Sequence, residues 1–141
     1  MSSDEKIEGS CLCGEVGFSV QMPTLYCVHC HCSMCRRSHG SAFVTWFGVP
    51  YERFSVLSGE ENLVRFQSSA HGKRSFCGLC GSALFCELES HPERIDITLA
   101  SLNGEIDRKP GFHVYFDDRA AWTFVDDGLP RLGGETGLEA L

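Results

Sequence analysis

Apolar and polar residues alternate in short runs along this chain. Val16, Phe18 and Val20 are separated by Gly17 and Ser19, and Ile95, Ile97 and Leu99 by Asp96 and Thr98. A period of two gives each run one apolar face, which predicts half-buried strands. Further strands are predicted over residues 42–49, 53–57, 63–66, 82–88, 112–116 and 121–125, with Gly, Pro, Asn and Asp punctuating the gaps. Short strands at this spacing predict a mainly β fold, an all-β meander. The exception is Ser33–His39, which has no alternation and no β-branched residue and stops before Gly40. One or two helical turns are predicted there.

No repeat, low-complexity run or internal linker interrupts the pattern. The chain has 141 residues, enough for one modest core. Residues 9–131 read as a single domain, 1–8 as a flexible polar N-terminus and 132–141 as a loosely held tail. Met1 to Ser10 lack the apolar stretch of a secretory signal, and no apolar run reaches transmembrane length, so the cytosol is the expected location.

Composition adds two constraints. The formal net charge is −7, which argues against nucleic acid and anionic membranes as partners, since both are held by clustered positive charge. The sequence holds 9 cysteines, an odd number, in C-x-C and C-x-x-C spacings. In a reducing compartment these fit thiolate metal sites better than disulfides.

The cysteines fall into two constellations. Cys11-Leu12-Cys13-Gly14 and Cys77-Gly78-Leu79-Cys80-Gly81 are two chelating turns, each ending in glycine. A metal knuckle aims backbone N–H groups at its sulfurs and tends to need positive φ just after the second cysteine, where glycine is free of steric cost. Two such halves make one closed tetrahedral Cys₄ site, the structural arrangement of zinc. The competing redox reading of Cys77 and Cys80 needs a helix start and a βαβ setting, whereas a strand is predicted after them.

The second constellation crowds Cys27, His29, Cys30, His31, Cys32 and Cys35 into nine residues. Cys27, Cys30, Cys32 and Cys35 together would close a four-sulfur site. Cys30, Cys32 and Cys35 alone would leave a fourth position open for water or substrate, the arrangement of a catalytic zinc. Both readings are compatible with the spacing.

The order C-x-C-G-x-V (Cys11 to Val16), C-H-C-x-x-C-R-R-x-x-G (Cys30 to Gly40) and F-C-x-x-C-G (Phe76 to Gly81) resembles the glutathione-dependent formaldehyde-activating enzyme family, which includes the centromere protein V group. Pro110-Gly111-Phe112-His113, Trp122 and Leu129-Pro130 extend the likeness towards the C-terminus. The resemblance implies a zinc-stapled, twisted multi-sheet β fold. It implies a structural zinc on Cys11, Cys13, Cys77 and Cys80, a second, catalytic zinc on Cys30, Cys32 and Cys35, and the carbon-sulfur lyase class. Cys27 is an extra cysteine relative to that pattern.

Three thiolates around an open zinc position suit a soft fourth ligand, so a small-molecule thiol such as glutathione is the expected partner, together with a small aldehyde. The reaction would then be that of an S-hydroxymethylglutathione synthase. The alternative is a non-catalytic zinc-stabilised binding module, with the second site closed by Cys27 or empty. An iron-sulfur cluster is a third reading, but C-x-C-x-x-C matches none of the expected cluster spacings.

Arg36, Arg37, Lys73 and Arg74 are candidates to meet a tripeptide's carboxylates or to balance the metal charge. His29 and His31 alternate with the cysteines and are expected to point away from the metal. His39 is expected to cap the short helix, and His113 to line a pocket. His71 and His91 lie in polar turns and receive no role. Cys86, in register with Leu84 and Leu88, is expected in the core. Phe43, Trp46, Phe47 and Trp122 are expected as core or pocket wall.

Overall fold

A computed structural model describes residues 4–141. Among these residues twelve strands and one α-helix run in the order β1 (Lys6–Ser10), β2 (Gly17–Gln21), β3 (Tyr26–Cys30), α1 (Ser33–His39), β4 (Val44–Pro50), β5 (Phe54–Ser58), β6 (Leu63–Ser69), β7 (Gly72–Cys77), β8 (Ala83–Leu88), β9 (Arg94–Thr98), β10 (Phe112–Val114), β11 (Leu132–Gly133) and β12 (Glu139–Ala140). The mainly β expectation holds. The strands form a three-stranded sheet ordered β1-β2-β5, a seven-stranded sheet ordered β10-β3-β4-β9-β8-β7-β6, and the pair β11-β12. Only β6 to β9 make a true meander. β4 pairs with β9 across the chain, and β10 joins the edge of β3 in parallel.

The large sheet has a core on each face. On one, Phe47 and Val49 of β4 and Ile95 and Ile97 of β9 pack against Phe18 and Val20 of β2 and Val16 just before it. Burying a side chain such as Phe18 or Phe47 contributes about 2–3 kcal/mol. On the other, Val28, Cys30, Val44, Trp46, Cys86 and Val114 surround Cys35 of α1. Alternation along β3 therefore sends Cys27 into the first core and Cys30 into the second.

The ends of α1 explain its position. Cys32 is the N-cap, its Sγ accepting from Cys35 N–H at 3.3 Å. Gly40, at φ 60°, closes the C-terminus by donating its N–H to Arg36 O. Backbone groups thus do the capping expected of His39, whose ring instead sits edge-on to Trp46 at 5.3 Å.

Several segments differ from expectation. Lys6, Ile7 and Glu8 belong to β1, paired with β2, rather than to a loose N-terminus, while residues 1–3 of that segment lie outside the described residues. Residues 132–141 contain the β11-β12 hairpin, and Tyr115 N–H donates to Gly137 O at 3.1 Å, so the tail is held. Residues 121–125 form no strand: Trp122 is 75% exposed and Phe124 87%. Cys86 packs in the core as expected, but with Leu88; a register shift at Ser75/Phe76 turns Leu84 to the other face.

Candidate metal centres and the histidine cluster

Cys11, Cys13, Cys77 and Cys80 converge, with their sulfurs all within 4.8 Å of one another. Cys11 and Cys13 end the β1 side of one turn, and Cys77 and Cys80 flank the β7–β8 turn. Gly14 has φ 82° and Gly81 φ 80°, the left-handed backbone anticipated from the sequence. Val16 N–H points at Cys11 Sγ at 3.3 Å, and Ser82 Oγ lies 3.2 Å from Cys80 Sγ while accepting from Leu12 N–H at 2.9 Å. Ser82 thereby ties the two turns together. Its hydroxyl also helps pull the Cys80 thiol down to about 5. The Cys11–Cys13 and Cys13–Cys77 sulfur separations are 3.5 and 3.8 Å. Tetrahedral zinc with bonds of about 2.3 Å sets its sulfurs about 3.8 Å apart, so the four cysteines fit that ion.

Cys30, Cys32 and Cys35 form a second group, again within 4.8 Å, with Cys30 and Cys35 sulfurs 3.5 Å apart. The end of β3 supplies the first, the helix cap the second and the first turn of α1 the third. Cys27 is not among them. It lies in the opposite core, where burial pushes its thiol up to about 11. The direction of its side chain thus takes Cys27 away from the three sulfurs of Cys30, Cys32 and Cys35.

Charge is organised around Cys35. Hydrogen bonds from Cys30 and Cys32 hold its thiol far below the ordinary range, and the Arg74 guanidinium adds to the effect. The Cys30 thiol is pushed up by the same sharing. Arg74 Nη2 and Trp46 Nε1 each donate to Cys35 Sγ at 3.4 Å. Arg74 Nε and Nη1 are buried without partners. Of the candidate cations, only Arg74 reaches a sulfur in this way. Arg36 Nε donates to His31 O, Arg37 lines a cleft of about 510 Å³ between α1 and the β6–β8 face, and Lys73 faces a different depression beside His71.

The histidines assemble where no metal was expected. His29 and His113 are register partners on β3 and β10, directed to the face opposite Cys30 and Val114. His113 Nδ1 lies 2.8 Å from His31 Nε2, and its Nε2 lies 2.7 Å from Asp127 Oδ2. This bond holds the Asp127 carboxyl below its usual range. As a carboxylate, Asp127 accepts from His113 Nε2–H. With one proton on the His113 ring, its Nδ1 then accepts from His31 Nε2–H, and His31 Nδ1 is left bare, buried and unpartnered. Burial keeps His31 neutral, its pKa lowered to about 4. His29 Nδ1 sits 2.8 Å from Thr45 Oγ1, and His29, His113 and Asp127 form a third group of potential ligands within 4.8 Å. Asp127 carries no signal in the sequence. It sits in an irregular polar segment 14 residues from His113, and only the tertiary fold joins them.

The model of the family described as glutathione-dependent formaldehyde-activating enzyme matches residues 6–118, a span that includes both cysteine constellations and His113. The chain belongs to this family. A Halomonas elongata protein named for the same family is 28% identical over 127 residues, spanning 85% of this chain and 81% of its own. A Schizosaccharomyces pombe protein described as an uncharacterized lyase is 33% identical over 85 residues, 55% of each chain. A crystal structure of a Rhodobacter sphaeroides protein superposes with a TM-score of 0.61 at 30% identity, covering 72% of this chain and 92% of that one. Asp127 lies beyond the span of the family match. Among the described residues no helix is long and apolar enough to cross a membrane.

Proposed function

We propose that the chain is a zinc-dependent carbon-sulfur lyase that forms and cleaves the adduct of glutathione, or a similar thiol, with formaldehyde or another small aldehyde. Zinc on Cys11, Cys13, Cys77 and Cys80 is structural, and the reaction takes place at Cys30, Cys32 and Cys35. The observation that carries this reading is the three-sulfur group with Cys27 turned into the opposite core. Membership of the family supplies the substrate class, and the lyase name of the Schizosaccharomyces pombe relative agrees with the reaction class.

Zinc held by Cys30, Cys32 and Cys35 would supply a cation that favours the thiolate form of an incoming thiol near neutral pH. The protein's part is to hold the sulfurs and balance their charge. Three cysteinates outweigh the two charges of zinc, and the buried Arg74 guanidinium at Cys35 offsets the excess. In the forward direction the thiol sulfur bonds to the carbonyl carbon, the carbonyl π pair moves to oxygen, and the proton lost by the thiol ends on that oxygen. Cleavage reverses each transfer. The nine unpaired cysteines favour a reducing compartment, the cytosol, as the place of action.

The test is adduct formation from glutathione and formaldehyde by the zinc-loaded protein, followed by NMR. The expected result is a rate well above both buffer and the Cys32→Ser variant. A rate equal to both removes the lyase and leaves a zinc-stabilised binding module.

A further inference from the structure

The histidine cluster takes no part in the chemistry proposed above. One ligand atom from each of His29, His113 and Asp127 lies within 4.8 Å of the others. One nitrogen or oxygen of each is held by a neighbour, leaving the other for an ion: His29 Nδ1 by Thr45 Oγ1 at 2.8 Å, His113 Nδ1 by His31 Nε2 at 2.8 Å, and Asp127 Oδ1 by Leu129 N–H at 3.1 Å. Anchoring the far nitrogen is how proteins fix the tautomer and aim of a metal-bound imidazole. The remaining atoms are two imidazole nitrogens and one carboxylate oxygen. That set is harder than three or four thiolates and belongs to a different class of site, one with open positions.

We propose that His29, His113 and Asp127 form a third cation site, taking a borderline divalent transition ion and separate from both cysteine clusters. Access is through Asp127, whose side chain is 38% exposed, while His113 is 1% exposed and anchors the inner wall. His113 Nε2 and Asp127 Oδ2 are 2.7 Å apart, and an ion about 2.0–2.2 Å from each would see them at nearly a right angle, as adjacent ligands of a facial set.

The ion replaces the proton now lying between those two atoms. His113 then carries its proton on Nδ1 and donates to His31 Nε2, and His31 carries its own on Nδ1. No proton is released, and the two tautomers switch together.

Cobalt(II) titration of the protein loaded with two equivalents of zinc per chain, enough for the two thiolate groups and no more, tests this. The expected result is uptake of one cobalt per chain with weak visible bands, no sulfur-to-metal charge transfer and no zinc release. Histidine ¹⁵N shifts should report the joint tautomer switch of His31 and His113. His29→Ala and Asp127→Asn should each raise the cobalt dissociation constant by at least about tenfold. Asp127→Asn keeps an oxygen to accept from His113, so the fold survives in that variant. Charge-transfer bands identify cobalt on sulfur whatever the cysteine clusters hold, so failure here is distinct from failure of the lyase reading. Cobalt binding no tighter in the native chain than in the two variants overturns the proposal, as does uptake only on sulfur. Asp127, His113 and His31 would then be a hydrogen-bond relay alone, with His29 bonded to Thr45.

Discussion

His113 Nε2 donates to Asp127 Oδ2 across 2.7 Å, joining an imidazole with almost no solvent contact to a carboxylate that meets water. The bond reaches further than its length, because His113 in turn fixes the tautomer of His31. His31 lies between Cys30 and Cys32, with its own N–H bound to Val114 O at 3.0 Å and its carbonyl accepting from Arg36. The sulfur-bearing loop is thus held by both its backbone and its side chain.

The Asp127 bond carries a pH signature of definite sign. The folded carboxyl has its pKa held below the ordinary value by the His113 hydrogen bond. The unfolded chain therefore binds more protons in the window between the two values, and stability rises with pH through it. The contribution is fully present above about pH 4 and disappears as pH falls through the folded value. Asp127→Asn should be less stable than the native chain at neutral pH, with the gap closing in acid. Urea midpoints of the two proteins measured side by side cancel effects they share. A gap that does not change with pH would mean the carboxylate charge contributes nothing.

Gly81 offers a test of the Cys77–Cys80 knuckle. Its φ is +80°, and a Cβ there would meet nothing within 4 Å. The cost of Gly81→Ala is therefore purely conformational, about 1–2 kcal/mol. Denaturant unfolding should show that loss with the metal content unchanged. A neutral substitution would mean that the turn relaxes out of the left-handed region without harm.

These knuckles were legible in the sequence because chelate spacing and glycine placement are local constraints, and local constraints leave a local pattern. The missed strands lack one. β1 offers only Ile7 and Gly9 between charged or polar residues, and β7 buries Gly72, Ser75 and Cys77, which no hydrophobic period marks. β3 is hidden by its chemistry, since Cys27, His29 and Cys30 read as a run of ligands before they read as a strand. The opposite error occurs at residues 121–125, where alternation is present but Trp122 and Phe124 face solvent and no neighbouring strand pairs with them. The pairing of His113 with Asp127 depends on where an irregular segment lands, which no periodicity encodes.

Cys27 is the residue that separates an open site from a closed one. It is buried among apolar neighbours in the first core, on the far side of β3 from Cys30. Cys27→Ala should leave the metal stoichiometry and the adduct-forming rate unchanged and lower stability by about 1 kcal/mol, the scale of a small core truncation. Metal analysis with a denaturation curve is sufficient. Loss of one metal ion from the variant would restore the four-sulfur reading.

Arg74 separates charge balance from simple packing. Its Nη2 donates to Cys35 Sγ at 3.4 Å, and its guanidinium lies over Trp46 with Cζ 5.9 Å from the ring centroid. Arg74→Met keeps most of the stem's packing and removes both the cation and the donor. In the metal-free chain the Cys35 thiol should then titrate higher, so that alkylation at Cys35, followed by mass spectrometry against pH, moves towards alkaline values. In the zinc-loaded protein the adduct-forming rate should fall about tenfold, the equivalent of about 1.4 kcal/mol and near the low end for a charge-assisted hydrogen bond. Arg74→Lys should fall between the two, because it returns the charge without the planar fork. If Arg74→Met lost stability but kept both the alkylation profile and the rate, the guanidinium would be a packing group, and the thiolates would have to be balanced by zinc and water alone.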